Sequence, residues 1–197
     1  MIGQEVFQSE SALDQVTSNA AIDSTLMNQQ ACVSSRFQFV EGSCADIDRY
    51  CEKLQAKLGH ERQTASSTPI PLTGGIRDEL DGLRAFEDDY RVFGGYEGRG
   101  LVVRSDTPVD FYPDNKIVNV VRVADLRDAI RHVSVATQTV GVYPAQRRIE
   151  LRDDLCSAGA QRVVAPGLAQ PETGLPHDGF YPLHRFVRWV TDEGERD

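Results

Sequence analysis

No apolar run in the sequence approaches the roughly 18 residues that a bilayer crossing needs. The opening, Met-Ile-Gly-Gln-Glu-Val-Phe, has no basic segment followed by an apolar one, so neither a membrane span nor a secretory signal is expected. Positive charge is short as well: 21 Lys and Arg stand against 30 Asp and Glu, a formal net charge of −9. Nucleic acid and anionic membrane surfaces reward clustered cations, which argues against both as partners. Cysteine is scarce, and in a chain without an export signal Cys32, Cys44, Cys51 and Cys156 are expected as thiols in the cytoplasm. Cys44, Cys51 and His60 fall on one predicted helix, at spacings of seven and nine that fit no zinc pattern, so no metal site is assigned.

What is present suits an ordinary globular protein: 197 residues, 40% apolar and 26% charged, long enough to bury a full core. One domain over residues 1–197 is expected. Apolar spacing predicts a helix from about Ser9 to Ala31, a strand Arg36–Val40, and a helix capped by Ser43 that runs to about Lys57 and stops at Gly59. Residues 61–75, rich in Thr, Ser, Pro and Gly, read as a loop, and a short helix with Leu80, Leu83 and Phe86 inward and acids around it follows. Tyr90–Tyr96 and Leu101–Arg104 read as a hairpin whose glycines serve the turn, since they do not open a helix after a strand as a phosphate loop would.

From there strands alternate with helices: Lys116–Val123, Ala124–His132, Thr139–Tyr143, Ala145–Cys156 and Gln161–Val164. Such alternation indicates βαβ units, so the fold class is α/β with a mostly parallel sheet flanked by helices. A terminal helix carrying Arg185, Arg188 and Trp189 is expected to dock on the body, with Trp189 in the core.

Cys32 sits where the first helix runs into the first strand. A lone cysteine is ordinarily a small buried hydrophobe. Here Asn28, Gln29 and Gln30 precede it and Ser34 and Ser35 follow, a polar collar that suits a substrate cleft better than a core. A nucleophile at such a junction is held by rigid elements and can still face a cleft.

Asn28-Gln29-Gln30-Ala31-Cys32-Val33-Ser34-Ser35-Arg36, followed by an aromatic and aliphatic strand, resembles the catalytic-cysteine segment of the aldehyde dehydrogenase superfamily, in the form carried by LuxC-type fatty acyl-CoA reductases. Three further stretches are similar to that family in the same order: Phe111-Tyr112-Pro113 with Asp125-Leu126-Arg127-Asp128-Ala129-Ile130, then Gly159-Ala160-Gln161-Arg162-Val163-Val164, then His177 to Val190. The resemblance implies a catalytic domain of the aldehyde dehydrogenase fold, with the cofactor domain that precedes the cysteine in the family absent from this sequence.

It also implies a chemistry. Cys32 would attack a fatty acyl thioester, expel CoA and hold an S-acyl group until NADPH delivers hydride and the aldehyde leaves. The backbone N–H of Cys32, with Asn28 or Gln29, would face the oxyanion. His177 and Asp178, in a polar turn of the tail, are expected to line the cleft. Oxidising members of the superfamily carry a glutamate ahead of Phe-x-Pro for the nicotinamide ribose; Val109 and Asp110 stand here, so no cofactor contact is assigned. Three readings stay open: the cysteine-bearing part of a reductase that works with a chain supplying the cofactor domain, an acyl-transferring remnant, and a non-catalytic binding or homo-oligomerisation module.

Overall fold

The computed structural model describes residues 1–172 and 174–194. The elements are α1 (Glu10–Thr25), β1 (Phe37–Glu41), α2 (Cys44–Leu58), α3 (Gly74–Arg84), β2 (Tyr90–Phe93), β3 (Leu101–Ser105), β4 (Ile117–Val123), β5 (Thr139–Gly141), α4 (Ala145–Ala158) and β6 (Arg162–Val164). One sheet has the order β1-β4-β3-β2, parallel except for the β2–β3 hairpin, and β5 and β6 form a second, parallel pair. Ile2 stitches the two together: its N–H reaches Phe39 O at 2.8 Å, its carbonyl takes Glu41 N–H at 2.9 Å, and the flanking Gly3 N–H reaches Tyr143 O at 2.8 Å.

Side chains alternate across the sheet with the period of two that a pleated strand imposes. Val40, Val102, Val118 and Val120 face α1 and α2, meeting Leu13, Val16, Ile47, Tyr50, Leu54 and Leu58. On the other face Leu101, Val103 and Ile117 pack with Leu72 and Leu80, while Leu126, Val140, Leu151 and Leu155 fill the space under α4. The helix starts follow side-chain capping, with Ser9 Oγ accepting from Ala12 N and Ser43 Oγ from Asp46 N. Gly98 has φ of +74°, and a Cβ there would meet the backbone of Ile70 at 2.3 Å, so this hairpin loop is packed shut and forms no open cradle for a phosphate. Among the described residues no helix is long and apolar enough to cross a membrane.

The structure corrects the sequence reading at four places. The first helix ends at Thr25 and not at Ala31, because Met27, Asn28 and Gln29 take left-handed backbone angles. Residues 126–132 wind as a 3-10 helix, begun by Asp125 accepting from Arg127 N at 2.8 Å. Phe86 is 62% exposed, one turn beyond the last packed position of α3. The terminal helix is only a 3-10 turn, Pro182–Arg185, and Trp189 is 78% exposed instead of lying in the core.

Trp189, the one tryptophan of the chain, should therefore emit at the solvent-exposed end of the range and be quenched freely by acrylamide. Trp189→Ala should change unfolding free energy by less than about 0.5 kcal/mol, against about 2–5 kcal/mol for Leu54→Ala. Urea titration measures both.

Candidate functional site

After Thr25 the chain leaves the helix at Leu26 and passes through Met27 (φ 49°), Asn28 (56°) and Gln29 (71°). Left-handed backbone costs a non-glycine residue about 1–2 kcal/mol, and only asparagine visits it readily, so Met27 and Gln29 must be held there. Gln29 does the holding. Fully buried, its Nε2 donates to Ile117 O at 2.8 Å and its Oε1 accepts from Lys116 N at 2.7 Å. Both ends of the amide are thus fixed to the start of β4.

Cys32 follows in a β-turn closed by Ser34 N–H on Ala31 O at 3.0 Å. It occupies the second position of that turn and is exposed. Among the described residues the N–H groups of Cys32 and Val33 have no intramolecular acceptor. The turn is fastened from behind: Ser34 Oγ donates to Leu26 O at 3.2 Å and Ser35 N–H to Asp23 O at 3.0 Å. Arg36 completes the fastening. Its guanidinium donates to Gln29 O and to Pro113 O at 2.7 Å, pairs with Asp114 at 3.4 Å, and lies over the Tyr112 ring at 4.4 Å. That fork of donors stacked on an aromatic is a geometry lysine cannot copy.

A cleft of about 320 Å³ opens beside the turn. Phe37, Phe39, Val133 and Val140 give it an apolar wall, and Cys32, Asp23, His132 and Gln138 are among its polar groups. His132 stacks on Phe39 with centroids 5.1 Å apart and accepts from Arg131 Nε at Nε2, 3.1 Å away. Its proton then belongs on Nδ1, and burial first, then the Arg131 charge, lowers its pKa. Both causes favour the uncharged imidazole. Asp23 accepts from Gly167 N at 2.6 Å and Ala169 N at 3.0 Å, which ties the loop after β6 to the end of α1. Burial raises its pKa, opposed by those two bonds.

The residues singled out from the sequence are placed differently from one another. Cys32 is at the cleft. Gln29 is not among the residues that line it, and its amide is committed to β4. Asn28 Oδ1 accepts from Ser66 N at 2.8 Å. His177 and Asp178 pair with each other at 3.0 Å, and Asp178 accepts from Gln138, so they stand behind a lining residue and outside the lining itself. Val109 is buried and donates its N–H to Asn119 Oδ1 at 3.0 Å, while Asp110 is exposed. Neither makes a cradle for a dinucleotide. Arg36 closes the Cys-x-Ser-x-Arg motif without having been given a role, while Asp23 and His132 belong to no recognisable spacing; Lys116, a cation opening an apolar strand, is a further signal.

A family described as acyl-CoA reductase (LuxC) matches residues 1–189. Long-chain acyl-protein thioester reductases from Vibrio harveyi and Aliivibrio fischeri are each 25% identical, over 92% and 95% of this chain. The chain spans only 38% and 40% of the length of those relatives. Among solved structures, the NADP-dependent glyceraldehyde-3-phosphate dehydrogenase of Bacillus halodurans superposes with a TM-score of 0.59 at 14% identity, covering 88% of this chain and 38% of that one. An indole-3-acetaldehyde dehydrogenase does so with 0.59 at 13%, covering 89% and 39%. These likenesses establish the aldehyde dehydrogenase fold.

Replacing Gln29 by methionine strands a buried N–H and a buried carbonyl at the head of β4. At about 1–3 kcal/mol for each unsatisfied group, a loss of about 2–6 kcal/mol is expected in urea unfolding. Asp23 gives a pH signature. Its native pKa lies above the ordinary carboxylate value, so between the two the folded state binds more protons and this group's contribution to stability falls as pH rises. Asp23→Asn should remove that component from the stability–pH curve measured by calorimetry.

Proposed function

Since the chain belongs to the acyl-CoA reductase (LuxC) family, we propose that it carries the cysteine half of a long-chain fatty acyl thioester reductase. The observation that supports this most is Cys32 itself: an exposed thiol on a tight turn, at the mouth of an apolar-walled cleft, with two adjacent N–H groups that have no other acceptor.

The thiolate is the reactive form, and an ordinary thiol reaches it at a pKa of about 8.5. Cys32 Sγ adds to the acyl carbonyl carbon, and the carbonyl π electrons move to oxygen. The N–H groups of Cys32 and Val33 then hydrogen-bond the oxyanion. Collapse re-forms the carbonyl and breaks the bond to the leaving sulfur, so CoA departs as a thiolate and Cys32 keeps the acyl group. Neither electrons nor a further nucleophile are consumed. Phe37, Phe39, Val133 and Val140 would take the adjacent methylenes out of water. The relatives are named for acyl-protein thioesters, so the substrate class is a fatty acyl thioester on CoA or on a protein thiol.

Reduction to the aldehyde needs two electrons, for which NADPH is the expected donor. The described residues do not fit a dinucleotide: the glycines of the β2–β3 loop are packed shut, and Val109 and Asp110, ahead of Phe111-Tyr112-Pro113, supply no glutamate carboxylate for a ribose. No hydride step is assigned to this chain. The donor's site would lie in the part of the relatives' length, about three-fifths, that this chain does not span. The alternative reading is an acyl-transferring or inactive homologue acting as a binding or oligomerisation module, and the uncovered Leu183, Phe186, Trp189 and Val190 favour it.

Intact-protein mass after brief exposure to a long-chain acyl-CoA separates both acylated readings from the binding module, and nicotinamide binding then separates the reductase from acyl transfer. One hydroxylamine-labile acyl group is expected on the wild type and none on Cys32→Ala, although Cys44 and Cys156 are exposed in both. A folded wild type that takes up no acyl group would leave the binding module.

A further inference from the structure

Six non-glycine residues have left-handed backbone among those described, and five of them converge at one place. Met27, Asn28 and Gln29 form one side; Asn115 and Lys116 form the other. Between them lies Ser66, from the long loop after α2. Its N–H is taken by Asn28 Oδ1 at 2.8 Å, and its carbonyl accepts from the Lys116 ammonium. Lys116 N–H reaches Gln29 Oε1 at 2.7 Å, which closes a ring of four residues.

The ring is costly for mere scaffolding. The Lys116 side chain is buried, yet its amine meets a neutral carbonyl, and the Glu61 carboxylate acts on it only from beyond ion-pair distance. An apolar side chain would fill that volume without removing a cation from water. Backbone strain and buried charge that persist together are the usual mark of a functional position. What the ring governs is clear from the chain path. Had α1 continued through Ala31, as its apolar pattern favours, Cys32 would stand about two helical turns farther along the α1 axis. The left-handed triplet turns the chain back so that the thiol meets the cleft.

We infer that the Asn28–Ser66–Lys116–Gln29 ring is the positioning device for Cys32, with Asn28 and Lys116 acting through the backbone of residues 27–29 and not on the substrate. This rests on the reading of Cys32 as the acylated nucleophile. It also assigns the part of Asn28 that matters: the oxygen that accepts from Ser66, and not the NH₂ group an oxyanion would use.

The test compares Asn28→Ala, Asn28→Gly and Asn28→Asp by the rate at which Cys32 takes an acyl group from a long-chain acyl-CoA, followed by intact mass over a range of thioester concentrations. Alanine loses the acceptor and keeps the strain, so its rate at saturation should fall about tenfold or more, with the half-saturating concentration unchanged. Glycine relieves the strain without restoring the acceptor and should stay slow. Aspartate restores the acceptor and should recover most of the lost rate. Hydrogen exchange at the Ser66 amide should quicken in alanine and glycine and slow again in aspartate, and Lys116→Met should quicken it without touching Asn28. Thermal melting identifies any variant whose loss is only unfolding.

An aspartate variant as slow as alanine, or an alanine variant as fast as wild type, would overturn the inference, as would Ser66 exchange that does not respond. A wild type that takes up no acyl group is a separate failure: it overturns the reading of Cys32, and the positioning role with it.

Discussion

The Gln29 side chain donates to one backbone group of β4 and accepts from the one beside it, and the geometry of the thiol depends on that pair. A buried amide cannot leave such partners without stranding them, at about 1–3 kcal/mol for each orphan. The bond to Lys116 N is therefore strong enough to keep Gln29 and its neighbours in a backbone region they would otherwise avoid. Everything from Leu26 to Arg36 inherits the constraint. Arg36 returns it by donating to the Gln29 carbonyl, so side chain and main chain of one residue are held from opposite sides.

In open parallel sheets, ligands usually bind beyond the carboxyl ends of the strands, where helix N-termini supply N–H groups. Here the cysteine turn and the loop carrying Tyr112 and Pro113 both precede their strands, β1 and β4. No helix begins at the thiol. The site is assembled instead from side-chain fasteners, Gln29, Arg36, Ser34 and Asp23, and from the free N–H groups of a turn. The imidazole of His132, clamped against Phe39, lines the cleft with a pKa that burial and the Arg131 charge lower.

Much of the architecture was legible because apolar periodicity is a local signal. The runs around Val40, Val102 and Val120 alternate as a pleated strand must, and their interleaving with helical stretches announces a parallel sheet. The polar collar around Cys32 suggested a cleft, and the structure has Cys32 lining one. Two kinds of information were not legible. The end of α1 is set by residues near position 116, and no glycine marks the left-handed turn at Met27, so the helical pattern runs on past the true stop. The tail misleads in the opposite way: Phe186, Val187, Trp189 and Val190 look like core, but nothing within the described residues covers them. Arg36 is part of the Cys-x-Ser-x-Arg motif, but its grip on backbone carbonyls is not readable from it, and Asp23 and His132 act through backbone amides and a ring face, which leave no spacing in a sequence.

The pairing of β1 with β4 joins Phe37 to Asn119 and Glu41 to Val123, strands separated by the whole of α2, α3 and the hairpin. Contacts so distant along the chain form late, after the intervening loop has closed. During synthesis from the amino end, Cys32 emerges long before Lys116, Ile117 and Pro113, on which its setting depends. For that interval the Gln29 amide lacks both of its partners. The turn that sets the thiol can be completed only when the start of β4 arrives to meet the Gln29 amide.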